Sequence, residues 1–317
     1  MNLMIQVPCF NEEATLAATL ADLPRSLPGI NRIEILVIDD GSTDRTVEVA
    51  REKGVHHILS LGSNRGLARA FAAGVEYALA AGADIVVNTD ADNQYRGEDI
   101  ARLLPPILEN RADIVVGCRP IEDHPEFSPI KKRLQKAGSW TLRQISRTSV
   151  RDAASGFRAF SCHALQRLFI YSTFSYCMET LIQAGNSGLR VASVDIRVNP
   201  STRASRLFRN IPHYLYRSGM TMATMFMIYR PGAFFASLAS VFLAGAFLLG
   251  FRFLVLVYIY PEPGRTYLPS LILLAVFASA GFLSLILGVI GELIKYQRRL
   301  SEEILYRLRR NGRPPDV

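Results

Sequence analysis

Cysteine and tryptophan are scarce in this chain of 317 residues, with four of the first and one of the second. Cys9, Cys118, Cys162 and Cys177 stand far apart, with no C-x-x-C pair and no histidine at ligand spacing. Neither a disulfide framework nor a zinc site is supported, and a reduced, cytosolic setting fits best. Glycine loops that cradle phosphates are missing too: there is no G-x-G-x-x-G and no G-x-x-x-x-G-K-[ST], which removes the classical dinucleotide and P-loop readings. No N-x-S/T acceptor occurs, because Asn199 is followed by Pro200. The opening run Met1 to Val7 has no basic flank and leads into Asn11, Glu12 and Glu13, so no signal peptide is read there.

What the chain has in excess is apolar residues, 49% of the total, more than an ordinary soluble enzyme carries. That composition excludes intrinsic disorder and a collagen-like chain. Charge is uneven. Residues 1–200 hold 22 basic and 23 acidic side chains, whereas residues 201–317 hold 14 and 5. Positive charge that brackets apolar segments points to the cytoplasmic face of a membrane rather than to nucleic acid.

From Leu3 to Gly117, apolar runs of strand length alternate with helical stretches. The runs are Met4 to Val7, Glu34 to Ile38, His57 to Leu61, Asp84 to Asn88 and Asp113 to Val116. Alternation of this kind predicts a parallel sheet wrapped by helices, with the ligand site beyond the strand carboxyl ends. The polar clusters follow the strands, at Pro8 to Glu13, Asp39 to Asp44, Ser63 to Gly66 and Asp90 to Gln94. Asn11 and Ser42, each followed by acids, read as helix N-caps. Residues 119–150 read as a loop with several prolines and then a basic helix, and Asp152 to Val198 returns to helix and strand patterns. Arg203, Arg206, Arg209 and Arg217 lie among Phe, Leu, Tyr and Met, as in an interfacial helix.

Two uncharged stretches follow, Ala233 to Phe251 and Thr266 to Gly291. Each is long enough to cross a hydrocarbon core of roughly 30 Å. Arg217 and Arg230 flank one outer end, and Lys295, Arg298 and Arg299 the other, with a single Arg265 in the turn between. The positive-inside rule then places both chain ends in the cytoplasm. The expected domains are 1–200, a cytosolic catalytic domain; 201–230, amphipathic juxtamembrane helices; 231–294, two transmembrane helices near 233–258 and 267–291; and 295–317, a cytosolic basic tail.

Asp90-Ala91-Asp92 is the strongest chemical signal. Two carboxylates spaced i and i+2 after a buried strand can share a divalent cation with a diphosphate, as hard oxygen donors do. Asp39 and Asp40 end the second run, where a carboxylate can accept from a base or ribose, and Gly41 lets backbone approach a ligand. A capping role for Ser42 and Asp44 is the plainer alternative, but two adjacent aspartates exceed what a cap needs. Glu179, in a helical run, is a candidate second carboxylate on the acceptor side.

Together, V-P-C-F-N-E-E, D-D-G-S-T-D, N-R-G, D-A-D-N-Q and D-A-A-S-G-F-R resemble the family-2 glycosyltransferases, and with two C-terminal spans the chain is similar to the polyprenyl-phosphate glycosyltransferases, relatives of dolichol-phosphate mannose synthase. The resemblance covers about residues 3–210 by motif and the rest by topology. It implies an α/β GT-A domain, a Rossmann-like nucleotide-diphospho-sugar transferase, followed by interfacial helices and a two-helix transmembrane hairpin. It implies an inverting transfer of sugar from a UDP- or GDP-linked donor to undecaprenyl or dolichyl phosphate, with Mg²⁺ or Mn²⁺ on the diphosphate. The expected setting is the inner or cytoplasmic membrane and a cell-envelope pathway, with membrane lipids as partners, no nucleic acid, and self-association left open.

Carried over position by position, the resemblance assigns Pro8, Phe10, Asn11, Glu12, Asp39, Asp40, Gly41, Asp90 and Ala91 to the nucleotide. Asp90, Asp92 and Gln94 match the metal motif, and Arg119, Arg133 and Asp152 the catalytic positions. Ser155, Arg158, Ser205 and Arg206 match positions facing acceptor or phosphate. The chain departs from relatives in T-R-A-S-R, with Arg for the usual Lys, and in D-N-Q-Y-R-G where many read D-L-Q-H-P-P. Two rivals stand beside this reading. A processive polysaccharide synthase would want Q-x-x-R-W, and the only tryptophan, Trp140, lies in G-S-W-T-L. A non-catalytic membrane scaffold would be favoured by loss of the second metal-motif aspartate, and Asp92 is present.

Overall fold

A computed structural model describes residues 1–120, 146, 148, 150–170, 176–199, 219–220, 223–260 and 267–311. The chain divides into two compact units, one of residues 1–218 with 302–317 and one of residues 219–301.

The first unit is built on β1 (Asn2–Cys9), β2 (Arg32–Asp39), β3 (His57–Ser60), β4 (Ile85–Asn88), β5 (Ile114–Cys118), β6 (Arg158–Ser161) and β7 (Val191–Asp195). They form one sheet in the order β3-β2-β1-β4-β6-β5-β7. The five strands expected from apolar runs are all present. Only β6 runs against the others, pairing antiparallel with both β4 and β5, so the sheet is mixed rather than wholly parallel. The central strands are buried on both faces, which is why β1 and β4 read as unbroken apolar runs. Each has one buried polar exception. Gln6 of β1 lies opposite Asn88 of β4 in register, and Gln6 Nε2 donates to Asn88 Oδ1 at 3.0 Å.

Helices α1 (Leu16–Asp22), α2 (Thr46–Glu52), α3 (Leu67–Ala80), α4 (Ile100–Leu103), α5 (Pro105–Leu108), α6 (Cys162–Arg167) and α7 (Tyr176–Asn186) accompany the sheet. A core of Leu3, Ile5, Val7, Leu16, Leu20, Val37, Val87, Val115 and Phe157 seals the face toward α1. On α3, Ala68, Phe71, Val75 and Ala78 are buried at helical spacing, so this helix lays an apolar stripe inward.

The second unit holds α8 (Pro231–Tyr258) and most of α9 (Leu268–Asn311). Both are long and apolar enough to cross a membrane, and Phe247, Phe251, Val276, Phe282 and Val289 are exposed along them. The helices run antiparallel and meet over small residues, with Pro231 against Gly291, Leu243 against Gly281 and Phe277 against Gly245. Close approach at small residues is how helices associate where lipid removes the hydrophobic drive. Helix α9 continues to Asn311. Residues 295–311 of the expected basic tail belong to this helix.

Candidate functional site

The polar clusters converge beyond the carboxyl ends of β1, β2 and β4. Because β1 and β2 are paired neighbours, the loops that leave them lie side by side and satisfy each other's backbone. Asn11 N donates to Ser42 Oγ at 3.0 Å, and Asn11 Oδ1 accepts from Thr43 N at 2.8 Å. Glu12 N donates to Thr46 Oγ1, and Glu13 Oε2 accepts from Arg45 N. Asn11 and Ser42 therefore do not cap helices as expected. Helix α1 starts later, after Thr15, and α2 after Arg45; the nearest unsatisfied donors for each loop belong to its neighbour. Pro8 is buried at the end of β1 and Phe10 half-buried just beyond it.

Asp39 and Asp40 are both buried. Asp39 accepts from Ser42 N and Ser60 Oγ, each at 2.9 Å. Asp40 accepts from Arg65 N at 2.8 Å and Gly66 N at 2.9 Å, so it anchors the turn that opens α3. Hydrogen bonds of this charge-assisted kind contribute about 1.5–3 kcal/mol each. Gly41 has φ +75°, and a Cβ there would meet the Ser63 and Asn64 backbone at 2.6–2.7 Å. The close approach expected of a ligand at Gly41 is made by the chain's own loop.

Asp90 and Asp92 follow β4 directly and are half-buried. Asp92 Oδ1 accepts from Gln94 N at 3.1 Å. Gln94 is held from the far side, its carbonyl accepting from Asn199 N, while Asn93 O accepts from Asn199 Nδ2. Burial, then the Asp92 charge, push the Asp90 carboxyl up to about 7, against the pull of Arg119 and Arg158. A carboxylate disfavoured first by burial and then by a neighbouring like charge is relieved by a bound cation. Among the described residues no group of three or more His, Cys, Asp and Glu gathers to hold a metal. The pair therefore fits a hard divalent ion that takes one or two carboxylates from protein and its remaining oxygens from phosphate and water.

Arg119 follows β5 and pairs with Asp152 through two hydrogen bonds, Nε to Oδ2 at 2.7 Å and Nη2 to Oδ1 at 3.1 Å. Burial works against the guanidinium charge, but Tyr95, Asp152 and Asp90 outweigh it and hold Arg119 firmly protonated. Three of the sequence-predicted residues, Asp90, Arg119 and Asp152, thus share one electrostatic cluster.

Arg158 is a correction. Its side chain is fully buried and donates to Ser155 O, Cys177 O, Thr180 Oγ1 and Ala153 O, all within 2.9 Å. A guanidinium committed to four framework acceptors does not face a phosphate; it fastens the 153–155 loop to α7. Ser155 is also fully buried, with its hydroxyl accepting from Phe157 N, so the acceptor contact expected of it is not made from this position. Glu179 likewise points into the interior and accepts from Gln183 Nε2. Arg133, Ser205 and Arg206 lie outside the described residues.

Sequence reasoning passed over Asn88, Tyr95 and Tyr176. Asn88 Nδ2 donates to Gly156 O and Tyr176 Oη, and Tyr95 Oη accepts from Gly156 N. The signal for Asn88 was an amide closing an otherwise apolar strand; Tyr176 had none, because only the fold brings α7 under β4.

Residues 4–169 match the family model described as Glycosyl transferase family 2. Over 213 residues the chain is 30% identical to a UDP-N-acetylglucosamine–dolichyl-phosphate N-acetylglucosaminyltransferase of Methanococcus voltae, covering 60% of this chain and 83% of that protein. Over 206 residues it is 26% identical to an undecaprenyl-phosphate mannosyltransferase of Micrococcus luteus, covering 62% and 83%. Among solved structures, glucosyl-3-phosphoglycerate synthase of Mycobacterium tuberculosis, crystallised with Mn²⁺, uridine diphosphate and glucosyl-3-phosphoglycerate, superposes with a TM-score of 0.54 at 21% identity, covering 71% of this chain and 78% of that one. That likeness shows a shared GT-A fold.

Proposed function

The chain belongs to glycosyl transferase family 2, and from that premise we propose that it moves a sugar, with inversion, from a nucleotide-activated donor to a polyprenyl phosphate at the cytoplasmic face of a membrane. The observation that carries this reading is the cluster at the sheet edge, where Asp90 and Asp92 stand with Arg119 and Asp152 beyond loops suited to a nucleotide. Relatives named for dolichyl- and undecaprenyl-phosphate transfer support the acceptor class. The two apolar helices would keep the catalytic domain where such an acceptor is found.

In the reaction an acceptor phosphate oxygen forms a bond to the sugar's anomeric carbon as the bond from that carbon to the nucleoside diphosphate breaks. A phosphate monoester has a second pKa of about 6, so the nucleophile is already largely dianionic at neutral pH and asks little of a general base. The harder tasks are bringing two anions together and stabilising the diphosphate as it leaves. Asp90 and Asp92 would hold the divalent ion, Mg²⁺ or Mn²⁺, with Gln94 closing the motif. When bound, that ion supplies positive charge to the leaving diphosphate. Arg119 contributes a fixed cation of its own, and Arg133 and Arg206 are proposed to meet the acceptor phosphate. Asp152, buried and engaged by Arg119 through both oxygens, orients that guanidinium rather than taking a proton.

Pro8, Phe10, Asn11, Glu12, Asp39 and Ala91 are proposed to frame the nucleotide, with Asp40 and Gly41 shaping the loop behind it. The proposal that both outer ends of the hairpin are cytoplasmic is supported by the positive-inside bias of Arg230 on one side and Lys295, Arg298 and Arg299 on the other. The test is to incubate the purified full chain in detergent with radiolabelled nucleotide sugars and undecaprenyl or dolichyl phosphate. Lipid-extractable label with one donor is expected. Label in a growing polymer, or none with any donor, would defeat the reading.

A further inference from the structure

The Asp90 carboxylate occupies the space where a side chain at position 156 would be. A Cβ built on Gly156 would stand 2.9 Å from Asp90 Oδ1, 3.1 Å from Asp90 Oδ2 and 3.0 Å from Tyr176 Oη. The backbone of the S-G-F-R block is therefore a wall against which the first aspartate of the D-x-D pair rests.

That wall is fastened from three elements. Gly156 O accepts from Asn88 Nδ2 of β4 at 3.0 Å and from Tyr176 Oη of α7 at 3.1 Å. Gly156 N donates to Tyr95 Oη at 3.2 Å. Asn88 Nδ2 also donates to Tyr176 Oη at 2.8 Å, and its Oδ1 is taken by Gln6, so the amide cannot turn without breaking several bonds. The rings are held as well. Tyr176 stacks on Phe71 with centroids 4.0 Å apart, and Tyr95 on Phe157 at 5.0 Å. Burial raises both phenols above their ordinary range, and each stays a neutral hydroxyl. In a water-poor interior a cross-linked network of this kind fixes geometry more strictly than its separate bonds suggest.

We propose that Asn88, Tyr95 and Tyr176 are positioning residues for Asp90: they hold the Gly156 backbone in place so that the Asp90 carboxylate stays beside Asp92, and thereby set the affinity of the divalent-cation and diphosphate site. The physical need is plain. Two like charges released from such a wall relieve their repulsion by turning apart, and a cation then meets one carboxylate instead of a pair. This proposal rests on the assignment of Asp90 and Asp92 to the cation.

The experiment measures Mn²⁺ binding to the detergent-solubilised full chain by loss of the free-ion paramagnetic resonance signal, with UDP and in parallel with GDP. Tyr176→Phe keeps the stacking and loses one hydroxyl, and Gly156→Ala places a methyl against Asp90. Tyr77→Phe is the control, because it removes a hydroxyl whose partner is His57 Nδ1. Tyr176→Phe should weaken Mn²⁺ binding about fivefold to tenfold, the worth of one buried hydrogen bond, and Gly156→Ala by more. The control should bind like the parent. In the transfer assay the KM for Mn²⁺ should rise by the same factor in Tyr176→Phe, with kcat at saturating Mn²⁺ little changed. Parent affinity in both folded variants, judged by circular dichroism and melting, overturns the proposal, as does equal weakening in the control. A parent chain that binds no Mn²⁺ with either nucleotide defeats the cation assignment itself, and the positioning role falls with it.

Discussion

Arg119 grips Asp152 with two adjacent nitrogens, and the carboxylate side chain is only 1% exposed while the guanidinium is 11% exposed. Removing one partner of such a pair strands a buried charge, whereas an amide keeps one acceptor in place. Asp152→Ala should therefore destabilise the domain by about 3–5 kcal/mol, read as a fall in denaturant midpoint. Asp152→Asn should fold, lose transfer through a misplaced Arg119, and keep a pH profile that follows the acceptor phosphate. A profile that loses its acid limb in Asp152→Asn would make Asp152 a base.

Arg158 separates a framework role from a ligand role. Arg158→Met takes the Arg158 donor from the carbonyls of Ala153, Ser155 and Cys177; Ser155 O keeps Cys177 Sγ and Cys177 O keeps Thr180 Oγ1, and each group left unsatisfied costs about 1–3 kcal/mol. We expect poor folding or early melting. A variant that melts like the parent but shows a raised KM for the lipid acceptor alone would return Arg158 to the phosphate.

Asp92→Asn tests the cation pair with little structural risk, since Asp92 is half-buried and an amide can still accept from Gln94 N. Transfer should fall at least a hundredfold and should not recover with added Mg²⁺ or Mn²⁺, because one charged ligand is gone. The check is a titration of activity against each ion, with the melting temperature as control. Unchanged turnover would remove the metal from Asp92.

The Asp90 carboxyl gives a pH signature. Its ordinary value is 3.8, and burial followed by the Asp92 charge push it up to about 7 in the folded chain. Across that interval the folded chain keeps a proton that the unfolded chain has released. The associated stability is complete below about pH 4 and is lost as pH rises through about 7. Proton and cation compete for the same oxygens. The gain in melting temperature on adding Mn²⁺ should accordingly be small at pH 5.5 and large at pH 8. A gain independent of pH would show that the ion binds elsewhere.

The proposed topology is tested at Gly264, between the two long helices. A cysteine placed there should react with an impermeant thiol reagent in intact cells. Reaction only after the cytoplasmic membrane is permeabilised would put the turn inside and reverse the hairpin.

Much of the fold was legible because burial on both faces leaves a local mark. The apolar runs from Met4 to Val116 named five strands, and the polar clusters after them marked the edge where the site would be. Asp90 and Asp92 could be singled out as candidates because the ability of nearby carboxylates to chelate is a property of spacing. The two long helices were readable because lipid demands an uncharged stretch of fixed length.

Where a side chain spends its hydrogen bonds was not legible, because that depends on which loop lies beside it. Asn11 and Ser42 carry the chemistry of helix caps, and only the pairing of β1 with β2 turns them toward each other. Arg158 looks like a phosphate ligand by motif; the antiparallel insertion of β6 between β4 and β5 buries it against α7. Asn88, Tyr95 and Tyr176, 88 residues apart from first to last, meet at Gly156 only once the sheet and α7 have closed. By itself the sequence determined the first five strands, the acidic pair and the long apolar stretches, since each follows from composition over a few neighbouring residues. The tertiary structure decided which charges stay at the site and which become framework, because desolvation and hydrogen-bond partners are set by distant parts of the chain.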